Sequence, residues 1–211
     1  VNASQGISTQ VNGQLSAFAN TMMKALNPVL AKSEGAGNRD LMIKASMIGS
    51  KISFFSLTVF FIPVLIEMPY IFHVWLKNVP EFAVIFCQLL LIRSLIEQLF
   101  KTLASSISAH GKIRAYQIVS STLCYLPLIF SYILFKNGSP AYFLYVIFII
   151  YTVLASCIIL FFAWNNFRFP VQDFLKNVVF RSTVTFIVIY LVSLVPVYFF
   201  QEGFFRLCLV T

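Results

Sequence analysis

Polar and apolar positions sort the chain into long apolar runs separated by short basic stretches. A hydrocarbon core of about 30 Å takes about 20 helical residues at about 1.5 Å each. Phe82–Leu103, Tyr116–Phe135, Tyr142–Trp164 and Thr183–Phe200 read cleanly as spans of that length, and Ile52–Trp75 as a fifth, interrupted by Pro63 and Pro69. A closed β-barrel is the other way to cross a bilayer. It needs short alternating segments, and runs such as Tyr145–Tyr151 (YVIFIIY) do not alternate. The pattern predicts helices.

The first segment, Val1–Leu26, has a different pattern. Gln5, Thr9, Asn12, Ser16 and Asn20 recur at helical steps, and Ile7, Val11, Leu15, Phe18 and Met22 recur at similar steps opposite them. This predicts a helix about 39 Å long with one polar and one apolar stripe. Asn27-Pro28 is expected to end it, because the residue before proline is pushed out of helical geometry. A helix lying in the headgroup region typically carries Lys or Arg on its polar face. Here that face holds neutral amides and hydroxyls, with no charge before Lys24. Neutral polar groups favour a spanning helix that faces a water-filled cavity, with the interfacial helix as the alternative.

Composition narrows the class. Of 211 residues, 59% are apolar, 17% aromatic and only 10% charged, and mean hydropathy is +0.87. Soluble domains carry about 25% charge, so a water-facing surface cannot be built from this chain. The expected fold is an all-α membrane protein, a polytopic bundle of about six spans over residues 1–26, 52–75, 82–103, 116–135, 142–164 and 183–200. Phe204–Val210 would start a seventh. No signal-peptide layout opens the chain. Its start at Val1 and its end inside an apolar run suggest an excerpt of a longer protein.

The net charge of +8 is distributed by topology. Segments 24–51, 101–114 and 165–181 hold eleven Lys and Arg residues, whereas the alternating connections hold two, Lys77 and Lys136. The positive-inside rule then makes those three segments cytoplasmic and puts Val1 outside. Tyr70, Phe72, Trp75, Tyr198, Phe199 and Phe200 fall at the expected outer ends, as aromatic belts do. The charge calls for no nucleic-acid partner; the partner is the lipid bilayer.

Catalytic signatures are missing from the pattern. Cys87, Cys124, Cys157 and Cys208 are scattered singly in apolar stretches and read as buried small hydrophobes. His73 and His110 have no neighbours of metal-ligand spacing. No GxSxG elbow or GxxxxGK[ST] loop occurs, and the two aspartates, Asp40 and Asp173, fall in connections. Neither an enzyme activity nor a resident cofactor is expected. Gly35-Ala36-Gly37 and Asn137-Gly138-Ser139-Pro140 read as turns. Glu67, between Pro63 and Pro69, reads as an interfacial residue. Pro63, Pro127 and Pro196 each loosen a span locally.

The informative charges are Arg93 and Glu97, four residues apart in the third span, with Gln88, Gln98 and Lys101 on adjacent turns. A mid-membrane charge costs at least about 2.5–3.5 kcal/mol. One reading is a local ion pair across one helical turn; the other is that this face looks into a polar cavity and presents a cation to an anionic substrate.

A family resemblance rests on several blocks in order: Val1-Asn2-Ala3-Ser4-Gln5-Gly6-Ile7, Gln10-Val11-Asn12-Gly13, Ala25-Leu26-Asn27-Pro28 with Lys32-Ser33, Gly49-Ser50-Lys51-Ile52-Ser53-Phe54-Phe55, Trp75-Leu76-Lys77-Asn78-Val79-Pro80-Glu81 and Gly111-Lys112-Ile113-Arg114-Ala115-Tyr116-Gln117-Ile118. Together they resemble bacterial polysaccharide flippases of the O-antigen type. That group forms the oligosaccharidyl-lipid branch of the multidrug and polysaccharide exporter superfamily. The resemblance covers about residues 1–135 and is hydropathy alone beyond. It departs at Arg93, where the family usually has an uncharged residue, at Ser108-Ala109-His110-Gly111, and at Lys101-Thr102.

The resemblance implies a two-lobed transporter in the bacterial inner membrane, with this chain as most of the second lobe and an amino-terminal half as its missing partner. The implied activity moves a polyprenyl-pyrophosphate-linked oligosaccharide from inner to outer leaflet, with no bond made or broken. Gln5, Thr9, Asn12, Ser16 and Asn20 would line the groove, with Arg93 and Glu97 in the same cavity and Arg93 facing the pyrophosphate. A cation-coupled multidrug exporter drawing on a proton or sodium gradient, with Glu97 as the acid, is the first alternative. An intramembrane glycosyltransferase or polymerase is the second.

Overall fold

The computed structural model describes residues 1–76, 78–200, 203, 206 and 207. Lys77, Cys208 and most of the Phe204–Val210 run lie outside the described residues. Among the described residues every regular element is helical. In chain order they are α1 (Asn2–Gly35), α2 (Arg39–Ile66), α3 (Met68–Trp75), α4 (Ala83–His110), α5 (Arg114–Leu123), α6 (Leu126–Lys136), α7 (Phe143–Phe167) and α8 (Val171–Phe174), then a π-helical turn Leu175–Phe180, α9 (Arg181–Ser193) and α10 (Val195–Phe199). Five stretches are long and apolar enough to cross a bilayer: Arg39–Ile66, Ala83–His110, Arg114–Lys136, Phe143–Phe167 and Val171–Phe199. The protein is an all-α polytopic membrane bundle. α1 has spanning length, about 51 Å, without spanning hydropathy.

Three expectations about boundaries are corrected. α1 does not stop at Asn27-Pro28 but runs through Pro28 to Gly35. Proline removes its own N–H bond and crowds the carbonyl four residues back, and the turn beyond it is held by burial of Leu30 and Ser33 against the bundle. The basic segments are mostly helix, reduced to turns around Ala36–Asn38, Gly111–Ile113 and Arg168–Pro170. Helices of 28 residues, about 42 Å long, overrun the hydrocarbon and carry their basic residues into water on helical turns. The span ending near Trp75 breaks at Glu67 and not at Pro63, which α2 accommodates.

The turns follow from residue chemistry. At Gly37 the backbone enters the left-handed region (φ 71°), where glycine carries no Cβ penalty. Asn38 Oδ1 then accepts from Leu41 N at 3.1 Å to cap α2. Gly138 (φ 76°) makes the expected Asn137–Pro140 turn. The fourth span divides at Cys124-Tyr125, where Pro127 withholds its N–H in the first turn of α6.

α4 is the central helix, packed against α1, α2 and α7; α5 and α6 rest on α7, and α9 on α2. Small residues set the spacing. Ser46, Gly49, Ser50 and Ser53 form a buried stripe on α2, facing Thr102 and Ser106 of α4. Backbones approach closely across such stripes, which is how helices pack where lipid offers no hydrophobic contrast. α1 contributes Ser4, Ser8 and Ala19, all buried. This third stripe lies between the polar and apolar stripes of the sequence pattern.

Outward faces carry large apolar side chains, among them Leu128, Tyr132, Phe161 and Val192, as lipid contact requires. Cys87 is buried as expected, but Cys124 and Cys157 are exposed. An apolar setting in a membrane protein is often lipid rather than core, so apolar neighbours do not imply burial. Phe72, placed by sequence in the aromatic belt, turns inward and is buried, while Trp75, Tyr198 and Phe199 are exposed.

Candidate functional site

Arg93, Glu97 and Lys101 stand four residues apart on α4 and so share one face. That face opens into a cavity of about 340 Å³ between α4, α5 and α7. Tyr116 and Ser120 line it from α5, and Tyr151, Thr152 and Ser156 from α7. Glu97 sits at the middle of α4, with Arg93 and Lys101 on either side of it along the helix.

The local ion pair offered by the sequence does not form. Arg93 turns to α7, where its Nε donates to Thr152 Oγ1 at 3.2 Å and its guanidinium lies 5.0 Å from the Phe148 ring centroid. The hydroxyl of Thr152 donates its own proton to the Phe148 carbonyl at 2.8 Å, leaving a lone pair for Arg93. Glu97 is exposed toward the cavity and forms no ion pair among the described residues. Lys101 turns the other way, its Nζ donating to Asn20 Oδ1 of α1 at 2.6 Å.

The polar stripe of α1 is thereby divided. Asn12 accepts from Ser94 Oγ at 2.6 Å and Asn20 from Lys101, both half-buried against α4. Ser16 lies half-buried between them. Gln5 and Thr9 are exposed, and the Thr9 hydroxyl bonds back to the carbonyl of Gln5 at 2.9 Å. None of the α1 residues lines the cavity itself. Thr152 and Ser156 are among the cavity residues that sequence reasoning missed, with Tyr116, Ser120 and Tyr151. The signal of Thr152 and Ser156 was readable: two hydroxyls one turn apart in the most apolar helix of the chain. Lys101 was noted in sequence but not placed in the site.

The charge pattern is unusual in one respect. Two cations and one carboxylate share the cavity, and each cation is anchored by neutral groups. An amide or hydroxyl fixes the position of a cation without cancelling its charge, whereas a carboxylate would do both. In a low-dielectric surrounding an uncancelled cation attracts anions far more strongly than in water.

Among the described residues, two further ionic clusters lie outside the cavity. Glu67, expected at the interface, is instead fully buried in a two-pronged bond from Arg206, whose Nε and Nη2 each donate to a carboxylate oxygen at 2.7 Å. Arg206 brings a counter-ion to the α2–α3 break from 139 residues away, which local sequence cannot reveal. At the other end, His110 Nδ1 meets Glu34 Oε1 at 2.6 Å, with Arg39 Nη2 at 3.4 Å from the same oxygen.

The hydrogen bond with His110, helped by the charge of Arg39, holds the Glu34 carboxyl below its ordinary 4.5 against the opposing effect of burial. A carboxyl depressed in the folded state adds stability above its unfolded value and loses it as pH falls through the folded value. The wild type should therefore exceed Glu34→Gln in thermal stability at neutral pH, and the two should converge as pH falls through the folded-state value. A gap that persists unchanged into acid would mean the cluster is not ionic.

Among the described residues, no group of three or more His, Cys, Asp and Glu side chains is placed to hold a metal ion. No family model matches the chain, nor does any curated protein or solved structure.

Proposed function

We propose that this chain is one lobe of a transporter that moves a polyprenyl-pyrophosphate-linked oligosaccharide across the bacterial inner membrane for surface polysaccharide synthesis. A diphosphate and its sugars cannot enter hydrocarbon unaided, because unpaired buried charge and hydroxyls are too costly. The observation that carries the reading is the cation pair of the α4 cavity, held in place by Asn20 and Thr152 rather than by acids. The basic turns favour an orientation with Ala36–Asn38, Gly111–Ile113 and Arg168–Pro170 in the cytoplasm. The exposed polar side of α1, with Gln5 and Thr9, suits the wet boundary with an amino-terminal lobe.

Arg93→Gln in the full transporter should reduce surface polysaccharide at least about tenfold in cells lacking other flippases, since a charge-assisted hydrogen bond is worth about 1.5–3 kcal/mol. Arg93→Lys should keep part of the activity. Unchanged polysaccharide with Arg93→Gln would refute the assignment.

One observation favours a second reading, a cation-coupled multidrug exporter. Glu97 is exposed at the middle of α4, and Arg93 does not neutralise it. On that reading Glu97→Gln abolishes drug resistance and leaves polysaccharide intact; on the first, resistance does not change.

A further inference from the structure

We propose that the charged stripe of α4 holds two separate phosphate-binding stations, one at Lys101 and one at Arg93, with Glu97 as the divide between them. The inference rests on the anion-transport reading above and assigns Lys101 a role of its own.

The geometry separates the two cations. Eight residues of helix place their Cα atoms about 12 Å apart. Both side chains could bend toward a shared ligand, but each is anchored in the opposite sense. Lys101 is drawn to α1 by Asn20 at 2.6 Å, and Arg93 to α7 by Thr152 at 3.2 Å and the Phe148 ring. The two phosphorus atoms of a diphosphate share a bridging oxygen and cannot reach both cations while those bonds stand. Glu97 lies on the same face between them and opens to the cavity, so an anion resting midway would meet a like charge. An anion therefore occupies one station or the other.

Each station keeps donors for a ligand. Lys101 commits one ammonium proton to Asn20 and retains two; Arg93 commits Nε and retains the paired Nη groups that suit two phosphate oxygens at once. The stations also differ in what holds them. A movement of α1 against α4 disturbs the Lys101 station, and a movement of α7 against α4 disturbs the Arg93 station. A lobe that reorients can thus weaken one while the other stays intact, and an anion passes from one side of the midplane to the other.

Titration calorimetry of inorganic pyrophosphate into the full chain in lipid nanodiscs, at low ionic strength, tests this directly. The wild type should bind two equivalents, Lys101→Gln and Arg93→Gln one each, and the double variant none. Lys101→Arg should retain two, which separates lost charge from lost fold. Asn20→Leu should leave the Arg93 equivalent untouched and weaken the other about tenfold, as expected for a lost hydrogen bond to a charged group. A single wild-type equivalent abolished by either charge removal would show that the cations share one anion, and would overturn the proposal. A single equivalent abolished by Arg93→Gln alone would remove the Lys101 station and leave the transport reading standing. No binding by the wild type would overturn both.

Discussion

Glu67→Leu is expected to destabilise the bundle by about 3–5 kcal/mol, the loss seen when one partner of a buried ion pair is removed. Glu67 is fully shielded, and both its oxygens accept from Arg206 at 2.7 Å. The bond spans 139 residues of sequence and ties Arg206 to the α2–α3 break. Removing the carboxylate leaves a guanidinium in a site shaped for its partner, and that desolvated charge is the larger part of the cost. Glu67→Leu combined with Arg206→Met should recover most of the loss, because apolar replacement of a whole buried pair is often neutral. Chemical unfolding in detergent, analysed as a double-mutant cycle, measures both effects. A loss under about 1 kcal/mol for the single variant would place the pair in an exposed setting.

Gly49→Val should cost about 3 kcal/mol, at the upper end of what overpacked cores lose. A Cβ at Gly49 would stand 2.7 Å from Leu26 Cδ1 and 2.8 Å from Thr102 Cγ2. Leu26 can rotate away; Thr102 cannot easily do so, because it is β-branched within a helix and its hydroxyl bonds Met23 Sδ at 3.0 Å. Gly49→Ala gives the sharper comparison. Helix propensity alone favours alanine by about 1 kcal/mol, so a measured loss would show that the meeting of α1, α2 and α4 outweighs it. A gain in unfolding free energy for Gly49→Ala would mean that the three helices do not meet there.

The span-forming stretches were legible because hydropathy over about twenty residues is a local property. The turns at Gly37 and Gly138 were legible because left-handed backbone strongly favours glycine. Helix ends were less so. Pro28 carries a strong local stop signal, yet burial of Leu30 and Ser33 overrides it. The basic segments read as loops because charge ends the apolar run, although a helix in water continues well past that point.

Partner choice was not legible at all. Arg93 has an acid one turn away in sequence and bonds instead to Thr152, 59 residues on. His110 shows no neighbour in sequence and meets Glu34 across the bundle. Asn12 and Asn20 of α1 were expected to line a polar groove; that they anchor α4 depends on Ser94 and Lys101 arriving opposite them.

By itself the amino-acid order determined that this chain crosses a membrane as helices, roughly where, and which segments carry the positive charge. Each of these is a sum over neighbours in sequence, governed by the transfer of side chains from water to hydrocarbon. The tertiary structure decided which stripe of α1 is buried, which cations stay uncancelled and which acid meets which base. Those outcomes turn on contacts of a few ångströms between helices far apart in the chain, where a hydrogen bond either finds its partner or does not.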